Sequence, residues 1–292
     1  MKHALVFGGS GQIGRPLLGR LLRDGWRVTA LSRQLQLERP GLSWLRGDFG
    51  ALPPLPLQVD AIVSCGPLDS FAQWYAGSRL ECDRVVAFGS TSVEVKRGSA
   101  DPRERDVAQR LRAGEDGVLT TASLRAAHAT LLRPTLVYGA GRDATLTRIA
   151  SLAKRWGRFP LPRNATGRRQ PVHVDDLAMA AFAALGSFAS HGQVYALPGG
   201  ETLAYREMVR RVLAALDPQP TLVELPSPLF NLALVVAKLG GGTGLGEAAV
   251  QRMRADLVFD DAPARRDLGY APRAFRPTAR MFEPREEPEE LP

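Results

Sequence analysis

Between the apolar tetrapeptide Ala4-Leu5-Val6-Phe7 and an amphipathic run stands Gly8-Gly9-Ser10-Gly11-Gln12-Ile13-Gly14, with glycines spaced as Gly-x-x-Gly-x-x-Gly. A loop of this kind, entered from a strand and left through a helix, leaves few folds open. Glycine permits the sharp turn, lets the backbone approach a pyrophosphate, and lets the helix pack closely on the strand. The helix N-terminus then faces the phosphates. A glycine-rich loop with no ligand is the alternative. The strand–loop–helix setting favours a dinucleotide site made by Gly8, Ser10, Gly11, Gln12, Ile13 and Gly14.

The rest of the first half repeats the alternation. Ile13, Leu17, Leu18, Leu21 and Leu22 recur at three- and four-residue spacings, and Asp24-Gly25 stops that helix. Arg27–Leu31, Leu42–Leu45, Asp60–Ser64, Arg84–Phe88 and Ala129–Val137 read as strands, with a helix-compatible stretch at Ser70–Leu80. Continuous apolar strands alternating with helices predict a parallel sheet covered on both faces. Asp101-Pro102-Arg103-Glu104 is a helix start, with Asp as N-cap and Pro at the first position, and Gly114 is expected to end that helix.

After Gly139, glycine, proline and arginine interrupt shorter apolar runs. A strand near Pro171–Val174, a helix over Leu177–Leu185, a strand at Gln193–Leu197 and helices over Tyr205–Leu216 and Leu229–Leu239 are expected there. The predicted fold is α/β: a doubly wound parallel Rossmann sheet with a small C-terminal substrate lobe. The division is 1–140 for the dinucleotide-binding domain, 141–282 for the lobe (returning to the sheet near 171–197), and 283–292 as a disordered acidic tail.

Composition sets the outer bounds. With 292 residues, 45% hydrophobic and 23% charged, the chain is neither disordered nor a disulfide scaffold. Cys65 and Cys82 fit a reducing compartment, and the first residues turn glycine-rich too soon for a signal peptide. The longest apolar stretch, Leu229–Leu239, falls short of the ~20 residues that span a bilayer, so a cytoplasmic protein without a membrane role is expected. The net charge of +8 comes almost wholly from arginine, the lysines being only Lys2, Lys96, Lys154 and Lys238. Such a field steers phosphates and carboxylates. Nucleic acid is disfavoured, because no basic run interleaved with aromatics is present. His3, His128 and His191 have no ligand-like spacing with His173, so no metal is expected.

The end of the second strand bears on cofactor choice. An acid there would hold the ribose hydroxyls, whereas an arginine accommodates a 2′-phosphate. Ala30-Leu31-Ser32-Arg33-Gln34 holds no acid and an arginine, so Ser32 and Arg33 favour NADP(H) over NAD(H).

With these residues in place, the chain resembles the short-chain dehydrogenase/reductase superfamily, in particular its extended branch, the NAD-dependent epimerase/dehydratase proteins. Gly8–Gly14 matches that branch's cofactor loop, and Gly47-Asp48-Phe49 its adenine-contacting segment. Phe88-Gly89-Ser90-Thr91-Ser92-Val93 resembles its Ser-Ser-Thr-x-Val-Tyr segment, and Leu132–Gly139 its Arg-Pro-x-x-Val-Tyr-Gly signature. Pro171–Ala178 resembles Val-His-Val-Asp-Asp, and Asp267–Pro272 the closing Leu-Gly-Tyr-x-Pro. The resemblance implies cofactor contacts at Asp48, Phe49, Ser90 and Pro134, and at Ser64, Cys65 and Gly66 where the fourth strand ends.

Two departures stand out. The branch's Tyr-x-x-x-Lys pair, which supplies the acid/base for hydride transfer, occurs nowhere in this chain, and alignment brings Asp101 and Arg105 to its positions. Arginine is not a chemical substitute for lysine. The link from Gly66 to Asp83 is also short for the branch. Thr91, Arg105 and Tyr138 remain as candidate catalytic groups, although Thr91 could equally satisfy backbone at a strand end. Thr91, Arg168 and His173 are the candidate substrate contacts, with Arg163 and Arg169 beside them; the alternatives are a packed Tyr138, a structural His173 beside a carboxylate helix cap, and solvated arginines on a loop.

The expected function is an NADP(H)-binding oxidoreductase or epimerase/dehydratase-like enzyme acting on a small, polar, anionic substrate of the nucleotide-sugar kind. The alternative is a non-catalytic NADP(H)-binding redox sensor or regulator. Homodimerisation is left open.

Overall fold

The computed structural model describes residues 1–230 and 247–283. β1 (His3–Phe7) passes through the glycine loop into α1 (Gly14–Arg23), followed by β2 (Arg27–Ser32), β3 (Leu42–Arg46) and β4 (Ala61–Ser64). Next come α2 (Leu68–Gly77), β5 (Arg84–Phe88), the single turn α3 (Ser92–Val95), the long α4 (Pro102–Leu124) and β6 (His128–Pro134). Then follow β7 (Val137–Tyr138), α5 (Leu146–Trp156), β8 (Arg158–Pro162), β9 (Arg168–Arg169), β10 (Val172–His173), α6 (Val174–Gly186) and β11 (Val194–Leu197). β12 (Leu203–Ala204), α7 (Tyr205–Ala214), β13 (Thr221–Leu225), α8 (Glu247–Arg254), α9 (Ala262–Leu268) and a 3-10 turn (Ala279–Phe282) follow among the described residues.

Seven strands form one parallel sheet in the order β3-β2-β1-β4-β5-β6-β11. The chain winds outward from β1 to β3, then returns to β4 and winds the other way. Ala4 faces Val28 on one side and Ala61 on the other, so the order reverses at β1. A crevice opens at such a switch point, beyond the carboxyl ends of the strands.

Side chains alternate across the sheet. Ala4 and Val6 point to the face covered by α1 and α6, where Leu17, Leu18 and Leu21 meet Leu177, Ala181 and Ala184. Each of those buried leucines contributes about 1.5–3 kcal/mol. Leu5 and Phe7 point the other way, to Phe71 and Tyr75 of α2 and Val118 and Ala122 of α4. A third apolar cluster lies off the sheet: Leu146 and Ile149 of α5, Phe159 of β8, Met208 and Val212 of α7, and Phe275. Among the described residues no helix is long and apolar enough to cross a membrane.

The structure differs from the sequence expectation at two points. α4 begins as expected, with the Asp101 carboxylate accepting from the Arg103 N–H at 2.9 Å, but it does not stop at Gly114. Gly114 is buried against the start of α2, where a Cβ would lie 3.1 Å from Leu68 Cγ and 3.3 Å from the Asp69 nitrogen. This glycine allows close helix packing, which outweighs its helix penalty of about 1 kcal/mol. The expected strand over Ala129–Val137 is broken at Pro134, and β7 leaves the sheet to pair with β10, Tyr138 beside His173. The Pro134 carbonyl is taken by the Thr91 N–H at 3.2 Å. Residues 231–239 of the helix expected over Leu229–Leu239, and 284–292 of the expected acidic tail, lie outside the described residues.

Gly114→Val therefore tests the α2–α4 contact. Its branched side chain must push the helices apart, at a cost of about 1–3 kcal/mol in urea unfolding. An unchanged midpoint and slope would contradict the close packing.

Candidate functional site

The glycine loop is held by what its residues lack. A Cβ on Gly14 would stand 2.2 Å from the Gly8 carbonyl oxygen and 2.6 Å from that of Gly9. Gly8 has φ +71°, and a Cβ there would come within 3.0 Å of the Cys65 carbonyl carbon. The loop is closed by the Gly11 N–H on the Gly8 carbonyl at 2.9 Å. α1 then starts with no acid in its first turn and ends with Arg20 and Arg23 in its last. Its dipole therefore favours an anion at the N-terminus.

Gln12 Oε1 and Ser64 Oγ are buried at this crevice without a hydrogen-bond partner. A cradle that any side chain would fill, beside unsatisfied polar atoms, fits a dinucleotide phosphate bridge with its flanking riboses.

The other candidate cofactor residues gather at the same carboxyl edge. Ser32 is buried at the end of β2 with its hydroxyl accepting from the Gln34 N–H at 3.1 Å, and Arg33 beyond it is exposed. The Asp48 carboxylate holds its own turn, accepting from the N–H groups of Gly50 (2.8 Å) and Ala51 (3.2 Å). Phe49 stacks on Phe7 at 5.0 Å between centroids, and a Cβ on Gly66 would meet its ring at 3.3 Å. Cys65 follows β4, and burial pushes its thiol up to about 12, so it stays protonated at neutral pH. The Ser90 hydroxyl accepts from the Ser92 N–H.

The candidate catalytic groups are not brought together. Thr91 is buried, and its hydroxyl donates to the Pro134 carbonyl at 3.1 Å, which ties the end of β5 to the end of β6. Arg133 clamps the same junction, with two 2.6 Å bonds to the buried Glu115 of α4 and one of 2.7 Å to Glu94. Arg105 is exposed, and its guanidinium donates to the carbonyls of Ser99 (2.8 Å) and Ala100 (3.0 Å). The early inward positions of α4 are Glu104, Val107, Ala108 and Leu111. Glu104 is the one carboxylate among these, and it is held by Arg252 and the Ser99 hydroxyl.

Three further candidates are held in structural roles. Tyr138 is 1% exposed, edge-on to both His173 and Phe275, because β7 leaves the sheet to pair with β10. Burial, then the nearby Asp176 charge, pushes its phenol up to about 12, far from a neutral-pH base. His173 is 2% exposed and caps α6, with Nδ1 accepting from the Asp175 N–H at 3.2 Å. Its ring fills the space a Cβ on Gly139 would need, 2.5 Å from Nε2. Arg168 is exposed and occupied by Asp256, through both its N–H and its Nε at 2.8 Å.

Its neighbour Arg169 is the buried one. It lies over the Tyr205 ring and donates to the carbonyls of Arg168, Ala255 and Arg252. Burial lowers its pKa. Successive strand residues face opposite ways, so adjacent arginines cannot both turn inward. Single-sequence reading does not say which one does.

The model for the NAD dependent epimerase/dehydratase family matches residues 76–197. A 2-alkyl-3-oxoalkanoate reductase from Stenotrophomonas maltophilia is 27% identical over 312 residues, covering 92% of this chain and 94% of that protein. Among solved structures, the epimerase Mth375 from Methanothermobacter thermautotrophicus superposes with a TM-score of 0.69 at 16% identity, over 96% of this chain and 89% of that one. MoeE5, solved with UDP-glucuronic acid and NAD, gives a TM-score of 0.68 at 19% identity over 94% of each chain. The family match covers less than half of this chain; with the similarities along the remainder it supports an extended short-chain dehydrogenase/reductase type resembling the NAD-dependent epimerase/dehydratase proteins. These similarities support a nucleotide-binding oxidoreductase or epimerase.

Gly11→Val places a branched side chain where a Cβ already meets the Gly8 carbonyl at 3.0 Å. Dinucleotide binding should fall below detection by calorimetry while the circular dichroism spectrum is retained. Unaltered affinity in a folded variant would put the cofactor elsewhere.

Proposed function

We propose that this protein holds NADP(H) along Gly8–Gly14 as a bound ligand and does not use it for tyrosine-dependent oxidation of a carbinol. Within this reading, residues 1–140 form the dinucleotide domain and 141–282 a lobe that receives a small anionic ligand. One observation carries it: the groups that could move a proton do not meet. Tyr138 packs against Phe275, Arg105 donates to its own loop, and the Thr91 hydroxyl proton goes to Pro134.

An unperturbed alcohol is a poor base at neutral pH, and a guanidinium keeps its proton. Thr91 still has lone pairs, so it can accept from a ligand hydroxyl and orient it. The preference for NADP(H) rests on the exposed Arg33 and the missing acid at the end of β2. Bound in this way, the dinucleotide would make the protein a sensor or regulator that reads redox state through occupancy.

A second reading is a reductase or epimerase-like enzyme on a small polar substrate such as a nucleotide sugar. It is favoured by the similarity to the 2-alkyl-3-oxoalkanoate reductase along nearly the whole of both chains. In that case the proton must come from the substrate or from solvent.

The two readings separate in one set of titrations. NADP(H) should bind at least ~10-fold tighter than NAD(H), about 1.4 kcal/mol, and Arg33→Ala should remove most of that difference. The reduced-nicotinamide absorbance should stay constant with panels of alcohols, ketones and nucleotide sugars. Equal affinities would contradict the cofactor choice. Turnover that falls in Thr91→Ala would establish the second reading over the first.

A further inference from the structure

Ser10 and Arg142 are 132 residues apart in sequence, yet Arg142 Nη1 donates to the Ser10 carbonyl at 3.0 Å. The contact joins the lobe to the middle of the glycine loop. We propose that Arg142 is a dinucleotide-binding residue supplied from the lobe side, one that neutralises the phosphate bridge once a dinucleotide lies on α1. The inference rests on the cofactor reading given above.

The backbone around Arg142 is fixed on both sides. The Gly141 N–H donates to the Met281 carbonyl at 2.9 Å, and Asp143 caps α5, its Oδ1 accepting from the N–H groups of Thr145 and Thr147 at 3.1 Å each. The Asp143 carboxylate is thus occupied by backbone, and its Oδ2 also takes the Thr147 hydroxyl. It is not the counter-ion of its arginine neighbour. Among the described residues no carboxylate pairs with Arg142, and its side chain is exposed at the mouth of the crevice.

A second guanidinium converges on the same oxygen: Arg15 Nε donates to the Ser10 carbonyl at 3.2 Å. Two cations on one carbonyl, beside a helix N-terminus with no acid in its first turn, concentrate positive charge at the cradle. One Nη1 hydrogen bond leaves most of the five donors of Arg142 for phosphate oxygens, which guanidinium contacts in fork geometry. A purely structural tether would need only the bond to Ser10. A charge with no counter-ion among the described residues, poised over an anion cradle, is what points to a ligand.

The test is equilibrium binding, not turnover. Wild type, Arg142→Gln and Arg142→Lys are titrated with NADPH and NADH by calorimetry. They are also titrated with a fragment that lacks the phosphate bridge: adenosine 2′-monophosphate if NADPH is preferred, adenosine if NADH is. Thermal unfolding of each variant without ligand is recorded. Arg142→Gln should bind the preferred dinucleotide at least ~10-fold more weakly, with fragment affinity within ~2-fold of wild type and a shallower salt dependence. Arg142→Lys, which keeps the charge but not the fork, should fall between.

Equal loss for dinucleotide and fragment, or no loss for either, would overturn the assignment and leave Arg142 as a tether between lobe and loop. Wild type that binds neither dinucleotide would overturn the cofactor reading itself, and this inference with it.

Discussion

Everything at the carboxyl edge of the sheet depends on one steric fact: the first turn of α1 crosses the end of β1 with no room for a side chain. The space at Gly14 is closed by the carbonyls of Gly8 and Gly9, and the space at Gly8 by the backbone beyond β4. The glycines therefore set how deeply α1 sits on the sheet. They also fix the position of the switch point between β1 and β4, where the crevice opens. The helix N-terminus is left bare of acids and of side-chain caps, so the positive end of its dipole faces the crevice.

A second constraint holds the far end of the crevice. Arg133, at the end of β6, reaches Glu115 in the middle of α4 and Glu94 in α3, while Thr91 reaches back to Pro134. A buried charge pair is costly to form and more costly to break from one side, so it specifies geometry more than it adds stability. Here it fixes the β5 and β6 ends to α4, and the Gly89 approach to Glu115 leaves little slack. Beside this junction, the early inward positions of α4 are mostly apolar. Val107, Ala108 and Leu111 cannot move a proton, and Glu104 is engaged with Arg252.

Much of the fold was legible because β1, β4 and β5 are buried on both faces and so read as unbroken apolar runs. The α4 N-terminus was legible from Asp101 and Pro102, which act locally. Its length was not, since Gly114 answers to α2, a contact that no local pattern encodes. The site was legible in the same measure. The glycine loop is a local motif, whereas the burial of Tyr138 and His173 follows from the β7–β10 pairing between segments 35 residues apart. Arg168 and Arg169 are chemically identical neighbours, told apart only by which face of β9 each occupies. The Arg142 contact with Ser10 joins positions 132 residues apart, and sequence carries no signal for it.

The most direct measurement is a crystal structure of the protein grown with NADP(H). The account predicts the phosphate bridge over the Gly11–Ile13 backbone and the nicotinamide end directed toward Thr91. It also predicts no tyrosine, histidine, lysine or carboxylate within about 3.2 Å of where a hydroxyl or carbonyl would meet that ring. A dinucleotide bound elsewhere, or a titrating side chain brought to the ring by closure of the lobe, would contradict it.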